Sequence, residues 1–253
     1  MCLIAWSWQP ASATPLLLLS NRDEFYDRPA LPLHWWDSAF SGVLAGKDQQ
    51  AGGTWLGVSR HGRLAALTNY RTALPAHANP PSRGELVAQF LQGSLNAESY
   101  LQALSKKAGE YNPFNLLVFD GEQLMGLESR SAEVIAMKPG IGGVSNANFH
   151  TPWPKLTKLL KGLQISIENE SLSAPDLLIS LLRDPALSPD HELPDTGIPL
   201  DLERSLSAIF IATPPYGTRA SSVVHIHRTH IDFTEQTYNY SGLTGSSRHQ
   251  FEL

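Results

Sequence analysis

Apolar and polar positions change rhythm twice within the first two dozen residues. Cys2 to Gln9 alternates, with Cys2, Ile4, Trp6 and Trp8 on one side and Leu3, Ala5, Ser7 and Gln9 on the other, the period of a strand. Leu16 to Leu19 has no polar side, which predicts a strand covered on both faces, and Pro10 to Pro15 supplies the turn between them. Pairing Gln9 with Leu16 sets Cys2 opposite Asp23, give or take a slip of two residues.

Phe25 to Phe40, rich in Pro and aromatic residues, reads as a folded loop. Strands are predicted over Val43 to Lys47, Thr54 to Ser59 and Arg63 to Thr68. Ser82 is placed to cap a helix whose Leu86, Val87, Phe90 and Leu91 share a face, and Ala97 to Lys107 predicts a second helix. Asn115 to Asp120 and Gln123 to Glu128 form a hairpin that Glu133 to Met137 continues. Gly140 to Phe149 reads as a glycine- and asparagine-rich turn region. Pro154 opens a helix through Leu163, and Asp176 to Leu182 gives another. Pro185 to Pro199 reads as a surface excursion. Ala208 to Ala212, Ser221 to His227 and Ile231 to Phe233 are the closing strands. Strands and helices come in blocks without βαβ alternation, so the expected class is α+β with mostly antiparallel strands. Helices over the outer faces of two stacked sheets would explain strands that are apolar on both sides.

A chain of 253 residues that is 42% hydrophobic is most simply one domain spanning 1–253. Its formal charge of -5 argues against nucleic acid and anionic membrane as the main partner, and no run approaches a transmembrane length of about 20 residues. The start has neither a basic region nor a long apolar segment of a signal peptide, and a single cysteine cannot form an internal disulfide. A cytoplasmic location is the expectation.

That cysteine falls opposite the densest polar cluster, Asn21-Arg22-Asp23-Glu24. Removal of Met1 would leave the α-amine of Cys2 beside its thiol, and an α-amine titrates near working pH, so it can act as base for its own side chain. Arg22 would favour the thiolate and Asp23 would orient the ammonium. Being adjacent, Arg22 and Asp23 face opposite ways on a regular strand, so both reaching Cys2 requires irregular backbone. Glu24 is equally suited to pair with Arg28 or a loop amide. Asn69 and Asn146 are the candidate oxyanion donors, with Asn148 in reserve. Arg71 and Arg219 could bind an anionic group, and Trp35-Trp36 with His34 could line a pocket for a flat ligand. His225 and His227 share a strand face and His230 follows, so a metal site is conceivable, but no matching carboxylate or cysteine spacing accompanies them, so an exposed edge-strand face is the better reading and no metal ligand is assigned.

Asn21-Arg22-Asp23-Glu24 spells the motif that names the NRDE family, also called the transport and Golgi organisation family, and the chain resembles it further. Gly52-Gly53-Thr54-Trp55-Leu56-Gly57, Leu67-Thr68-Asn69-Tyr70-Arg71, Ser82-Arg83-Gly84, Val144-Ser145-Asn146, Trp153-Pro154-Lys155 and Tyr216-Gly217-Thr218-Arg219 are similar to the family's blocks. The resemblance extends to cysteine N-terminal nucleophile hydrolases, such as choloylglycine hydrolase and penicillin V acylase, and implies a four-layer αββα sandwich. It implies an amidohydrolase-like activity on a small non-peptide amide through a thioester on Cys2, requiring no cofactor. Catalysis would fall to Cys2, Arg22, Asp23, Asn69 and Asn146, and substrate binding to Asn21, Glu24, Arg71, Trp35, Trp36 and Arg219. The alternative is a binding protein on the same scaffold for haem or for acyl-CoA and lipid, with His34 or Cys2 approaching haem iron or Arg22 a phosphate.

Overall fold

The computed structural model describes residues 2–37, 41–73, 75–169 and 175–253. Among them the strands form two sheets in which every pairing is antiparallel. The first contains β1 (Cys2–Trp8), β2 (Leu16–Phe25), β10 (Gly140–Val144), β11 (Tyr216–Ile226), β12 (His230–Asn239) and β13 (Gly242–Glu252) in the order β10-β1-β2-β11-β12-β13. In the second, β3 (Ala30–Trp35), β4 (Val43–Asp48), β5 (Leu56–Ser59), β6 (Leu64–Asn69), β7 (Phe114–Phe119), β8 (Leu124–Glu128) and β9 (Glu133–Ala136) lie side by side in chain order.

Three apolar layers hold the sandwich together. Between the sheets, Ile4, Trp6, Trp8, Leu16 and Leu18 meet Leu44, Leu56, Val58 and Phe119. Outside the first sheet, Leu3, Ala5, Leu17 and Leu19 pack on α3 (Pro154–Glu168) and α4 (Pro175–Leu181). Outside the second, α1 (Gly84–Gln92) and α2 (Ala97–Ser105) cover Ala65, Leu116 and Val118. A short helix, α5 (Leu200–Ser205), follows the surface excursion. The result is the α+β, four-layer αββα sandwich expected from the sequence. No helix among the described residues is long and apolar enough to cross a membrane.

Several local expectations are corrected. Trp8, not Gln9, pairs with Leu16, so the hairpin register moves by one residue and Cys2 lies opposite Arg22. The reason is the wide turn, in which the Gln9 N–H bonds the Pro15 carbonyl and the Ser12 N–H bonds Gln9. Part of the aromatic segment after β2 is strand β3, with a bulge between Leu31 and His34. Helix α1 starts at Gly84 and its cap position, Arg83, makes no side-chain cap bond, so Ser82 does not cap it. The glycine-rich stretch contains β10, which flanks β1. Its glycines make room for neighbours: a Cβ on Gly142 would lie 2.5 Å from the Trp6 ring, and one on Gly143 2.5 Å from Leu156. Ala208, Ile209 and Ile211 are buried, but Ala208 to Ala212 is not a strand beyond a single bridge, Ala212 to Gly217. Two further strands flank β11 on its outer side, so His225 lies on an inner strand and is buried, not on an exposed edge.

Candidate active site

Period-two alternation on β2 sorts the polar cluster. Leu16 and Leu18 look between the sheets and Leu17 and Leu19 look towards the helices, so Arg22 continues the first row while Asn21 and Asp23 continue the second. Cys2, in line with Ile4 and Trp6, meets Arg22 at the end of the inter-sheet layer. There the sheets open into a cleft of about 480 Å³ lined by Cys2, Arg22, Asp23, Glu24, Asn69 and Arg83, among others.

The second sheet supplies the counter-charges. Asp48, at the end of β4, accepts from Arg22 Nη2 at 3.3 Å and Arg28 Nε at 2.7 Å, and from the N–H groups of Gln50 and Ala51 at 3.0 Å each. Burial pushes the Asp48 carboxyl up, but the bond from Arg28 and the backbone donors outweigh it and hold the group below its ordinary range. The Arg22 guanidinium also lies 4.4 Å from the Trp55 ring centroid, and its Nη1 is buried without a hydrogen-bond partner among the described residues. Glu24 accepts from the Phe25 N–H at 3.0 Å and pairs with Arg28 at 3.9 Å. Arg83 reaches the cleft because two glycines let backbones touch: a Cβ on Gly53 would lie 2.3 Å from the carbonyl carbon of Gly84.

Asp23 faces the helix side and yet borders the cleft. The irregular backbone lies on the neighbouring strand, where β11 bulges between Thr218 and Ala220. Thr218 Oγ1 donates to Asp23 Oδ1 at 2.8 Å and the Tyr216 hydroxyl to the Asp23 carbonyl at 2.8 Å. Burial raises the Asp23 carboxyl, opposed first by the charge of Lys155. Lys155 went unnoticed in the sequence as a site residue. In the first turn of α3 it is only 3% exposed, its Nζ has no hydrogen-bond partner among the described residues, and burial lowers its pKa to about 8 against the pull of Asp23. Burial likewise pushes the Cys2 thiol up, an effect that Arg22 opposes.

The remaining candidates separate. Asn146 does not line the cleft: its Nδ2 donates to the Asn69 carbonyl at 2.8 Å and its own carbonyl accepts from the Arg71 N–H at 2.7 Å, which makes it a positioning residue for Asn69. Asn21 is fully buried on the helix side, donating to the Leu182 and Ile209 carbonyls at 2.8 Å and accepting from Ser221. Arg71 is buried in an ion pair with Glu203 and stacks 4.6 Å from the Trp153 ring centroid. Trp35 packs on Phe251 and under Arg60, while Trp36 is buried with its indole N–H on the Ala45 carbonyl. Arg219, the extra residue of the bulge, donates to the carbonyls of Phe25, Tyr26, Arg28 and Tyr238. Neither Trp35, Trp36, Arg71 nor Arg219 lines the cleft of Cys2. Met1 lies outside the described residues.

A family model described as Transport and Golgi organisation 2 matches residues 1–240. The chain is 35% identical over 276 residues to the Transport and Golgi organization protein 2 homolog of Bos taurus, covering 100% of this chain and 99% of the relative. Its identity to the Homo sapiens homolog is 34% over 259 residues, covering 94% and 93%. Among solved structures, the C2A mutant of conjugated bile acid hydrolase from Clostridium perfringens is similar with a TM-score of 0.52 and 8% identity, over 100% of this chain and 97% of that one. The likeness is one of fold, the four-layer αββα sandwich.

Proposed function

Taking as premise that the chain belongs to the Transport and Golgi organisation 2 family, we propose that it is an N-terminal cysteine amidohydrolase-like enzyme acting on a small non-peptide amide. The observation that carries this reading is the meeting of Cys2 and Arg22 at the mouth of a cleft that Asn69 also lines. Its volume of about 480 Å³ suits a small molecule. With Met1 removed, the α-amine of Cys2 takes the thiol proton, and the sulfur attacks the amide carbon. Asn69 stabilises the oxyanion, with Arg22 favouring the thiolate. The tetrahedral intermediate expels the amine, which takes the proton from the α-ammonium, and a thioester remains. Water, deprotonated by the same α-amine, then cleaves the thioester and restores the thiol.

Amide hydrolysis by the native protein and its Cys2→Ser variant tests the reading. The expected loss is on the order of 10³-fold or more in kcat. Equal rates would overturn it, as would an intact mass retaining Met1 in fully active protein.

One observation favours a second reading, in which the cleft holds haem or an acyl-CoA without hydrolysis. Burial raises the Cys2 thiol and so disfavours the nucleophilic thiolate. Titration with haem and with an acyl-CoA separates the two, because a carrier would bind one of them saturably and Cys2→Ser would leave acyl-CoA binding intact.

A further inference from the structure

At the opposite end of the first sheet from Cys2, the β11–β12 hairpin abuts the β1–β2 turn. His227 follows β11, His230 opens β12, and Asp232 lies two residues further along it. Spacing in the sequence hid the carboxylate, because the hairpin folds it back against His225 as its cross-strand partner. The Nε2 atoms of His227 and His230 each lie 3.4 Å from Asp232 Oδ2, and one donor atom from each of the three residues falls within 4.8 Å of the others.

We propose that His227, His230 and Asp232 form a binding site for a divalent transition-metal ion of the zinc class, with a further coordination position open to the adjoining groove. Separations of 3.4 Å are long for N–H···O bonds but match the edge of a coordination tetrahedron, about 3.4 Å when the bonds are about 2.0–2.1 Å. Each imidazole is already held through its other nitrogen, as metal-binding histidines are. Thr14 Oγ1 lies 2.8 Å from His227 Nδ1, and Thr229 Oγ1 3.0 Å from His230 Nδ1. The two rings stack at 4.1 Å between centroids and 12° between planes, and both Nε2 atoms face the same oxygen, Asp232 Oδ2. Bringing them onto one ion takes a turn of each ring about its Cβ–Cγ bond, a soft torsion.

The carboxylate also lacks full compensation from the protein. Asp232 Oδ1 is buried without a hydrogen-bond partner among the described residues, and the nearest cation facing it, Arg248 Nη2, stands 3.8 Å away on an exposed side chain. His225 continues the stack, 5.9 Å from His227. The groove, about 600 Å³ with Leu17, Ile167 and Pro175 in its walls, gives an additional ligand room to enter. Two imidazoles and one carboxylate with an open position suit zinc, cobalt or nickel better than calcium or magnesium, which select oxygen donors.

The test is titration of the chelator-treated full chain with Co²⁺ followed by Zn²⁺. Wild type and Cys2→Ser are each expected to take up one Co²⁺ with the strong visible bands of a four- or five-coordinate ion, and to release it to Zn²⁺. His230→Gln and Asp232→Asn should each weaken binding by about tenfold or more. In wild type, Zn²⁺ should shift the ring NMR signals of His227 and His230, a readout that does not depend on the variants folding. Absence of saturable binding, loss of the site in Cys2→Ser, or unshifted ring signals would overturn the proposal. Because Cys2 is at the other end of the sheet, failure here and failure of the hydrolase reading are separate results.

Discussion

Arg22 is buried, bonded to Asp48 by one guanidinium nitrogen, stacked on Trp55, and left with Nη1 unbonded among the described residues. A buried donor without a partner costs about 1–3 kcal/mol, so a ligand acceptor placed in the cleft recovers that penalty on binding. On the hydrolase reading, Asn69 is the second residue to which the chemistry would be sensitive. Asn69→Ala is expected to lower kcat by about 10²–10³-fold with a smaller change in KM, measured on whichever amide the native protein cleaves. Asn146→Ala acts through Asn69 and should be partly rescued by Asn146→Gln, which an oxyanion donor displaced by a methylene would not be. Alternation made part of this legible in advance: Arg22 and Asp23 had to face opposite ways, and they do. Lys155 was not legible, because a lysine in a first helical turn normally points to water and only packing against the first sheet reveals that this one does not. Trp35 and Trp36 misled for the converse reason, since aromatic content says nothing about which wall a ring faces.

Glycines of β10 decide how closely the sheet meets its neighbours. Gly142→Ala would press a methyl onto the Trp6 ring, and the expected destabilisation is about 1–3 kcal/mol, read as a lower denaturant midpoint with unchanged m-value. The same feature hid the strand, because a run with three glycines in five residues has no apolar period to read. Between the sheets, Glu235 of β12 accepts from the Leu33 N–H at 2.7 Å, filling the gap that the β3 bulge leaves in its ladder. Burial pushes its carboxyl from 4.5 up to about 7. The folded protein therefore holds a proton that the unfolded chain has lost, and this stabilisation is full below about 4.5 and disappears as pH rises through about 7. Glu235→Gln keeps the acceptor and removes the titration. Its unfolding free energy should lose this slope across the window, and above pH 7 it should gain on the order of 3 kcal/mol, as measured by denaturant titration at several pH values.

At the scale of the molecule, the sandwich follows from the apolar patterning: strands apolar on both sides demand cover on both sides, and blocks of helices supply it. What patterning could not give was which strands flank β1, since β10 comes from a stretch that looked like a turn. The position of β1 fixes a further expectation. Its first residue, Cys2, lines the cleft, and any residue left ahead of Cys2 turns its α-amine into a peptide nitrogen that cannot act as a base. An uncleaved N-terminal tag is expected to abolish amide hydrolysis, and protease release that exposes Cys2 should restore it, while a tag after Leu253 should leave the rate unchanged. Comparing the three proteins in one assay checks this.

The order of strands in the first sheet also dictates when the site comes into being. Cys2 and Arg22 leave the ribosome first, but β10 closes one flank only after residue 140 and β11 the other only after residue 216. Until then the nascent hairpin exposes leucines on both faces and tryptophans on one, with unpaired edges on either side. Synthesis of this chain therefore runs for most of its length with that segment uncovered, and a ribosome stalled before β11 holds a thiol beside an arginine on a hairpin whose β2 edge is still unpaired. Chaperone engagement should begin with the first hairpin and end only when β11 has paired with β2.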